Sequence, residues 1–449
     1  MPQNILDTIA AIATPSGNGG VGIIRISGVL ATQIAGHLTT KSFLPRQALF
    51  TAFNDKDGSV IDSGILLYFP NPSSYTGEDT IELQGHGGTV VLDMLLRRVL
   101  SLGARMAKPG EFTERAFLNN KLDLAQAEAV ADLIESSTEQ SVRSSQKSMQ
   151  GVFSKQINAL VDQLTELRMY VEAAIDFVDE EIDFLTDGIV ENKINEISKK
   201  IQKIQNTAQQ GRLLRDGMTI VLAGKPNAGK SSLLNALTGH EAAIVTEVAG
   251  TTRDILRERI QIDGMPLHII DTAGLRESDN IVEQEGIRRA HEEIRQADKI
   301  LLIIDSTDPE TETDSLLNTL PAGLDITKVY NKIDISGMQA QIIESEHHSE
   351  IYLSIKQQIG IELLTEHLKK SVGFKSEADD VFIARRRHIE ALSESQQYIA
   401  CAKQQLKNQS GELVAEDLRQ AQNSLAEITG TFSSDDLLGK IFGSFCIGK

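Results

Sequence analysis

The spacing of hydrophobic residues divides the chain into segments of different texture, and the first segment extends to about residue 118. It contains short apolar runs separated by Gly and Pro, such as GIIRIS, SGILLYF and TIELQG, which are typical of β-strands. One stretch, VVLDMLLRRVLS, has the three- and four-residue periodicity of an amphipathic helix. The pattern therefore predicts an α+β domain at the N-terminus.

A helical texture begins near residue 123 and returns after about residue 380. Apolar residues recur there at steps of three and four, which is the period of an amphipathic helix. The clearest stretches are 149–167, 194–204, 389–399 and 418–428. We therefore predict helices on both sides of the intervening segment.

That intervening segment, from about residue 217, alternates short β-rich runs with helical ones. The runs TIVLAG, PLHIID, KILLIID, ITKVYN and EIYLSI predict the strands of a mostly parallel α/β sheet. The simplest arrangement inserts this α/β domain into one helical domain. The predicted division is an N-terminal domain over 1–120, a discontinuous helical domain over 121–215 and 380–449, and an inserted domain over 216–379.

Composition narrows the functional classes. At 449 residues the chain has room for about three domains of ~150 residues each, and its 41% hydrophobic content is ordinary for a core-forming protein. Apolar runs such as ILLIID fall far short of the ~20 residues of a membrane helix. The apolar N-terminal stretch lacks the preceding basic residue of a signal peptide. With only Cys401 and Cys446, these features predict a cytoplasmic protein without a membrane segment or disulfide framework.

The net charge of −19 opposes nonspecific binding to phosphate backbones. A nucleic-acid partner would therefore need a local basic patch or presentation by another protein. The one dense basic run is Arg385–Arg387. For this run a solvated helix start is favoured over a tRNA contact.

The segment GKPNAGKSS, which begins at Gly224, matches the phosphate-loop pattern G-x-x-x-x-G-K-S. It lies between a predicted strand at 219–223 and a predicted helix at about 230–238, as that motif requires. Its glycines allow backbone N–H groups to close around phosphate oxygens at a helix N-terminus. Lys230 would neutralise the β and γ phosphates, and the Ser231 hydroxyl would ligate Mg²⁺.

Two further motifs indicate guanine and the metal. In NKID, residues 331–334, the Asp334 carboxylate can accept hydrogen bonds from guanine N1 and its exocyclic amine, which adenine does not offer as donors there. In DTAG, Asp271 follows a predicted strand and would hold the Mg²⁺ shell. DTAG lies between the phosphate loop and NKID along the chain, and three motifs in the expected order and context argue against a coincidental glycine loop.

Two other patterns carry less weight. GNGGVG at 17–22 spells a dinucleotide-binding fingerprint, but the β-like IIRIS follows it where that motif needs a helix. DFVDEEIDF at 176–184 gathers carboxylates without a nearby histidine, and a solvated acidic helix face or end is favoured over a metal site.

Four flanking segments then point to a family: GGVGIIRISG, YTGEDTIELQGHGG, PGEFTERAFLNNKLDLAQAEAVADLI and the terminal SDDLLGKIFGSFCIGK. With the nucleotide motifs, they make the whole chain resemble the MnmE (TrmE) family of tRNA-modification GTPases. The resemblance implies an N-terminal domain that dimerises and binds 5-formyl- or methylene-tetrahydrofolate, a discontinuous helical domain and an inserted G domain. It also implies a flavoprotein partner, MnmG, with which the family places an aminomethyl-type group on C5 of the tRNA wobble uridine.

The resemblance also assigns site residues. Carried over from the family, the folate contacts would be Arg25, Glu82, Lys121 and Lys449. Their chemistry fits this assignment, since a carboxylate suits the amide-like edge of a pterin and Arg and Lys suit a glutamate tail. The GTP contacts would be Asn227, Ala228, Gly229, Lys230, Ser231, Ser232, Thr246, Glu247, Val248, Ala249, Gly250, Thr251, Thr252, Asp271, Thr272, Ala273, Gly274, Asn331, Lys332, Asp334 and Ser354.

One position raises a catalytic question. Many GTPases hold a water-orienting Gln directly after the DTAG glycine, whereas this chain has Leu275. By resemblance, K⁺ would supply charge at the phosphates and Glu283 would orient the water, with Lys230 and Thr252 as further catalytic groups and Thr252 as the second Mg²⁺ ligand. The K⁺ ligands would be Asn227, Thr246, Val248 and Thr251.

Two alternatives remain at this point. A ribosome-assembly GTPase of the same superfamily would carry a second G domain or a basic RNA-binding module, and this chain has one phosphate loop and an acidic helical tail. A one-carbon transferase with a G domain that serves only as a scaffold would have lost the hydrolytic residues. Lys230, Ser231, Thr252 and Asp271 are all present.

Overall fold

The computed structural model describes residues 7–176, 188–240, 257–271, 297–308, 325–345, 348–374, 381–431 and 435–448. The chain forms two compact units. The first comprises Met1–Ala131, Ser148–Ser198 and Glu394–Lys449, and the second comprises Asp132–Lys147 and Lys199–Ser393.

The first unit contains a six-stranded sheet, whose strands are β1 (Ile9–Ile12), β2 (Gly19–Ser27), β3 (Leu49–Asn54), β4 (Val60–Phe69), β5 (Thr80–Gly87) and β6 (Arg105–Met106). Their order across the sheet is β3-β4-β5-β2-β1-β6. Neighbouring strands are antiparallel, apart from β1 and β6, which are parallel. The three strands predicted from apolar runs are confirmed, and GNGGVG leads into a strand, which confirms that it is not a dinucleotide fingerprint.

Three helices accompany this sheet: α1 (Ala31–Leu38), α2 (Thr89–Ser101) and α3 (Glu111–Leu118). α2 packs on β1, β2, β4 and β5 through one apolar face. That face consists of Leu92, Leu95, Leu96 and Val99, which recur at helical spacing and are buried against strand residues such as Ile24 and Leu83. The α+β domain predicted for the N-terminus is present.

The helical texture corresponds to α4 (Leu124–Glu135), α5 (Glu139–Met149), α6 (Val152–Asp176), α7 (Ile189–Asp216), α11 (Arg386–Lys407), α12 (Gly411–Thr429) and α13 (Asp435–Gly443). α6 and α12 pack against each other within the first unit. The apolar positions that predicted them, including Leu160, Leu164, Leu418 and Leu425, are buried. Of the acidic stretch DFVDEEIDF, residues 177–184 lie outside the described part of the chain.

The second unit contains a seven-stranded sheet, whose strands are β7 (Met218–Gly224), β8 (Arg257–Ile262), β9 (Met265–Asp271), β10 (Lys299–Asp305), β11 (Ile326–Asn331), β12 (Gln341–Glu344) and β13 (Ser349–Tyr352). Their order across the sheet is β12-β13-β11-β10-β7-β9-β8. The inner strands are parallel, while β8 and β12 are antiparallel to their neighbours. Two described helices lie between these strands, α8 (Lys230–His240) and α9 (Ile333–Ser336), and α10 (Ile361–Ser371) follows β13.

Strand β10 shows why a run as apolar as KILLIID forms the middle of this sheet. Six of its seven residues are buried, because apolar clusters cover both faces of the sheet. The chain thus combines an α+β domain, α-helices on both sides of an α/β segment, and that α/β segment itself, as predicted. In the described ranges no helix is long and apolar enough to span a membrane.

Candidate functional site

The phosphate-loop sequence forms the turn between β7 and α8, and its backbone requires glycine at both ends. Gly224 has φ 151° and Gly229 has φ 112°. A Cβ atom on Gly224 would lie 2.5 Å from the Ile303 carbonyl oxygen, and one on Gly229 would lie 2.3 Å from the Asn331 amide nitrogen. Any side chain at either position would push the loop off its neighbouring strands.

The predicted phosphate-binding groups lie at this turn. The Lys230 ammonium donates hydrogen bonds to the carbonyl oxygens of Gly224 at 2.7 Å and Lys225 at 2.9 Å, so its charge lies across the loop. Ser231 and Ser232 are exposed in the first turn of α8. Ala228 is buried under the loop. The loop therefore presents an ammonium group, hydroxyl groups and a helix N-terminus, which suit phosphate oxygens.

Asn331 connects the phosphate loop to the NKID loop. Its buried side-chain amide donates to the Ala228 carbonyl oxygen at 2.9 Å and accepts a hydrogen bond from the Ile355 backbone N–H at 3.1 Å. Ile355 is buried, and its side chain packs beside Gly229. Asn331 thus fixes two loops that hold opposite ends of a nucleotide in the predicted site.

Two further NKID residues, Asp334 and Lys332, form hydrogen bonds with side chains outside that motif. Asp334 accepts a 2.6 Å hydrogen bond from the buried Ser354 hydroxyl group, so the two predicted guanine-site residues are in contact. Lys332 has a left-handed backbone, with φ 67°, and its ammonium donates to the Asp305 carboxylate at 2.6 Å. Burial raises the pKa of Asp305, but hydrogen bonds from Lys332 and Thr307 outweigh that effect and lower it overall.

The sequence motifs did not indicate Asp305 as the residue that holds Lys332. Its position was a usable signal, because Asp305 ends a predicted apolar strand, as Asp271 of DTAG does. Parallel strands bring their carboxyl ends to one edge of a sheet, where ligands bind in open α/β folds. In this sheet, that edge is formed by the carboxyl ends of β7, β9, β10 and β11.

Several predicted site residues lie outside the described ranges: Thr246, Glu247, Val248, Ala249, Gly250, Thr251, Thr252, Thr272, Ala273, Gly274, Glu283 and Lys449. Asp271 is described only as the last backbone position of β9. Within the described ranges, no group of three or more His, Cys, Asp or Glu side chains could hold a metal ion. Asn227, a predicted K⁺ ligand, is exposed in the phosphate loop with φ 64°.

The predicted folate residues Arg25 and Glu82 face each other across β2 and β5. The Arg25 guanidinium donates to the Glu82 carboxylate at 2.9 and 3.0 Å and to the Gly448 carbonyl oxygen at 3.5 Å. The rings of Tyr75 and Phe112 lie 5.8 Å from the guanidinium carbon. The C-terminal tail, through Gly448, therefore reaches the same charged pair.

Lys121, the third described residue of that predicted set, has a different contact. Its ammonium donates to the Pro72 carbonyl oxygen at 3.0 Å, and its side chain runs beside Gly77. The structure therefore brings Arg25 and Glu82 together, while Lys121 binds a neighbouring loop.

The basic run Arg385–Arg387 is only partly a solvated helix start. α11 begins at Arg386, which is exposed, but the Arg385 side chain is only 15% exposed because it pairs with Asp132. The prediction is wrong for Arg385. Its partner is 253 residues away in the sequence, so local charge density could not indicate the pairing.

The phosphate loop stands between a strand and a helix, and the Asn331 side chain joins it to the NKID loop. A phosphate-binding loop beside a guanine-binding loop places this chain among the P-loop GTPases. Residues 8–121 match the family model for the GTP-binding protein TrmE N-terminus, and residues 124–446 match the MnmE helical domain. The chain belongs to the MnmE (TrmE) family of tRNA modification GTPases.

Full-length relatives agree with this assignment. The chain is 56% identical over 450 residues to a tRNA modification GTPase MnmE of Mannheimia succiniciproducens, with 99% of each chain covered. It is 58% identical over 449 residues to that of Histophilus somni strain 129Pt, again with 99% coverage of both. The predicted family and the predicted enzyme class, a GTP hydrolase in tRNA modification, are confirmed.

Proposed function

We propose that this chain is a potassium-activated GTPase that works with the flavoprotein MnmG on the wobble uridine of certain tRNAs. Together they add an aminomethyl-type group, carboxymethylaminomethyl, to C5 of that base with a tetrahydrofolate one-carbon unit. The proposed working form is a homodimer that joins MnmG in a heterotetramer. The two cysteines, which are free and exposed, fit the reducing conditions of a cytoplasmic protein.

The observation that carries the folate part of this proposal is the contact of Arg25 with both Glu82 and Gly448. Three chain segments that are distant in sequence bring a guanidinium, a carboxylate and the residue before Lys449 into one place. A pterin edge offers N–H donors to a carboxylate, and a glutamate tail offers carboxylates to Arg and Lys. The donor set therefore suits a reduced folate, with Lys121 assigned to the same ligand by family resemblance.

The nucleotide end of the proposal rests on the phosphate loop. Lys230 would bind the β and γ phosphates, and Ser231 and Thr252 would hold Mg²⁺ while Asp271 supports its shell. The exposed Asn227 side chain offers an amide oxygen to K⁺ beside the phosphates. A cation there would supply the charge that other GTPases obtain from an arginine.

Each part of the chain has a proposed task. Residues 1–120 would bind folate and dimerise, and 216–379 would form the G domain. Residues 121–215 and 380–449 would form one helical domain around that insertion. Thr246, Val248 and Thr251 would complete the K⁺ site, and Glu283 would orient the attacking water in place of the Gln that Leu275 replaces.

Calorimetry of the full chain with 5-formyltetrahydrofolate tests the folate assignment. We expect the wild type to bind and Glu82→Gln to lose at least about tenfold in affinity, since a hydrogen bond to a charged group contributes ~1.5–3 kcal/mol. Asp93→Asn is the matched control, because that carboxylate lies on the exposed face of α2, where it pairs with Arg97. Absence of folate binding by the wild-type chain would overturn the folate part of the proposal.

A further inference from the structure

A buried carboxylate joins the two points at which the chain enters and leaves the α/β sheet. Asp132, on α4, has a side chain that is only 3% exposed. One of its oxygens accepts hydrogen bonds from Arg215 Nε at 2.7 Å and Arg385 Nη2 at 2.8 Å. Arg385 Nε also reaches the second oxygen at 3.3 Å. We call these three residues the connector clamp.

Two residues of the connector clamp, Arg215 and Arg385, lie on the segments that connect the α/β sheet to the flanking helices. Arg215 lies near the end of α7, shortly before β7 begins at Met218, and Arg385 directly precedes α11. The two connectors also touch through their backbones, since a Cβ atom on Gly211 would lie 1.8 Å from the Phe382 carbonyl oxygen. Asp132 therefore fixes α4 to a pair of segments that already lie side by side.

The charges make this contact costly to break. Burial lowers the pKa of Arg215, but the Asp132 and Asp216 carboxylates raise it above its ordinary value, so the guanidinium stays charged. The Arg385 backbone N–H is held as well, because it donates to the Nδ1 atom of the buried His388 at 3.0 Å. Without the carboxylate, two guanidinium groups with side chains 29% and 15% exposed would lose their shared counter-ion.

Strand β7 joins the clamp to the nucleotide site. It starts three residues after Arg215 and ends at Gly224 in the phosphate loop. Seven residues at ~3.3 Å each span ~20 Å, so the clamp is too distant to touch a nucleotide. A displacement of the loop end of β7 would nevertheless act on the clamp through a hydrogen-bonded central strand.

We propose, on the basis of the proposed function, that Asp132 is a positioning residue that transmits nucleotide-dependent movement of the α/β domain to α4, and so couples GTP hydrolysis to tRNA modification. It neither binds nucleotide nor takes part in hydrolysis. A purely structural ion pair would affect both activities together through stability, whereas a coupling element would affect modification selectively.

The test compares two readouts of the full-length chain. For Asp132→Asn, we expect GTP turnover by purified protein to stay within about twofold of wild type. The modified wobble uridine, measured by nucleoside analysis of tRNA from a complemented deletion strain, should fall at least tenfold. Asp132→Glu, which keeps the charge, should restore a large part of that modification. Glu390→Gln, the same chemical change in an exposed pair with Arg386 on α11, should alter neither readout.

Other outcomes overturn the proposal. Wild-type modification by Asp132→Asn would show that the clamp transmits nothing, and a parallel loss of both activities in a folded protein would show a general role. If Asp132→Asn fails to fold, Arg385→Lys decides, since it keeps the positive charge and removes the two-point contact. Selective loss of modification in that variant supports coupling, and unchanged or equally reduced activities contradict it.

Discussion

The Asn331 side-chain amide donates a 2.9 Å hydrogen bond to the Ala228 carbonyl oxygen, 103 residues earlier in the chain. Ala228 belongs to the phosphate loop and Asn331 begins the NKID loop, so one side chain sets the spacing between the two ends of the nucleotide site. A nucleotide that fits this spacing finds both loops preorganised.

Replacement of Asn331 by Ala should weaken GDP and GTP alike. The change removes the bond to Ala228 and leaves the buried Ile355 N–H without its acceptor, which costs ~1–3 kcal/mol. We expect affinity for both nucleotides, measured by fluorescence titration, to fall about 5- to 150-fold. Asn235→Ala on the exposed face of α8 is the control, and equal affinities for Asn331→Ala and wild type would contradict this role.

Asp334 should determine the base. Asp334→Asn exchanges an acceptor for a donor at the guanine N1 edge, so GTP binding should weaken by at least about tenfold. Xanthosine triphosphate, which presents an acceptor where guanine has its amine, should bind the variant better than it binds wild type. Competition titrations with the two nucleotides measure this exchange, and an unchanged order of preference would remove Asp334 from base recognition.

Potassium should activate hydrolysis. If K⁺ held by Asn227 supplies charge at the phosphates, GTP turnover should rise strongly in KCl and little in NaCl, because the smaller ion does not span the same oxygens. Loss of one charge-stabilising group typically costs ~10²–10³ in rate, so Asn227→Ala should lose most of the potassium response. By family resemblance, two G domains should meet face to face and complete the K⁺ site when GDP and aluminium fluoride mimic the transition state. Glu283→Ala should lower turnover but keep the ion preference of this G-domain association.

Asn235→Ala again serves as the control for the potassium experiment, since it replaces an exposed asparagine on α8. Equal turnover in sodium and potassium would exclude the ion and leave the absence of a water-orienting side chain at Leu275 unexplained.

His367 should make the α/β domain sensitive to acid. Burial, and next the nearby Lys299 charge, lower the pKa of His367 below its ordinary value of 6.5. The unfolded chain therefore binds a proton more readily than the folded one, and the free energy of unfolding falls as pH decreases below 6.5, by at most ~1.4 kcal/mol per pH unit. His367→Gln should flatten this slope in urea unfolding between pH 7.5 and 5.5, while the exposed His37→Gln should not. An unchanged slope in His367→Gln would contradict the assignment.

The sequence predicted the parts of this molecule that depend on neighbours along the chain. The phosphate loop was recognisable because its glycines, Lys230 and Ser231 act within a few residues of one another, and the helices because their apolar period is local. The link from Asn331 to Ala228 and the burial of Arg385 by Asp132 join residues that only the tertiary fold brings together. Periodicity carries no information about such pairs.

Local sequence patterns are also insufficient to predict the folate site. Only the resemblance to a family indicates Arg25, Glu82 and Lys121, since each residue alone has the pattern of a surface charge. Strand register explains why Arg25 meets Glu82, but the contact with Gly448 depends on where the C-terminal tail lies, which no local pattern encodes.

The most direct test of the account is the modification itself. A deletion strain would be complemented with the wild-type chain, with Lys230→Ala, which removes the phosphate-loop ammonium, and with an empty vector. Nucleoside analysis of its tRNA should find the C5 carboxymethylaminomethyl wobble uridine restored by the wild type and absent in the other two. If the wild-type chain does not restore that nucleoside, or if Lys230→Ala restores it equally well, the account of a GTP-driven wobble-uridine modification is contradicted.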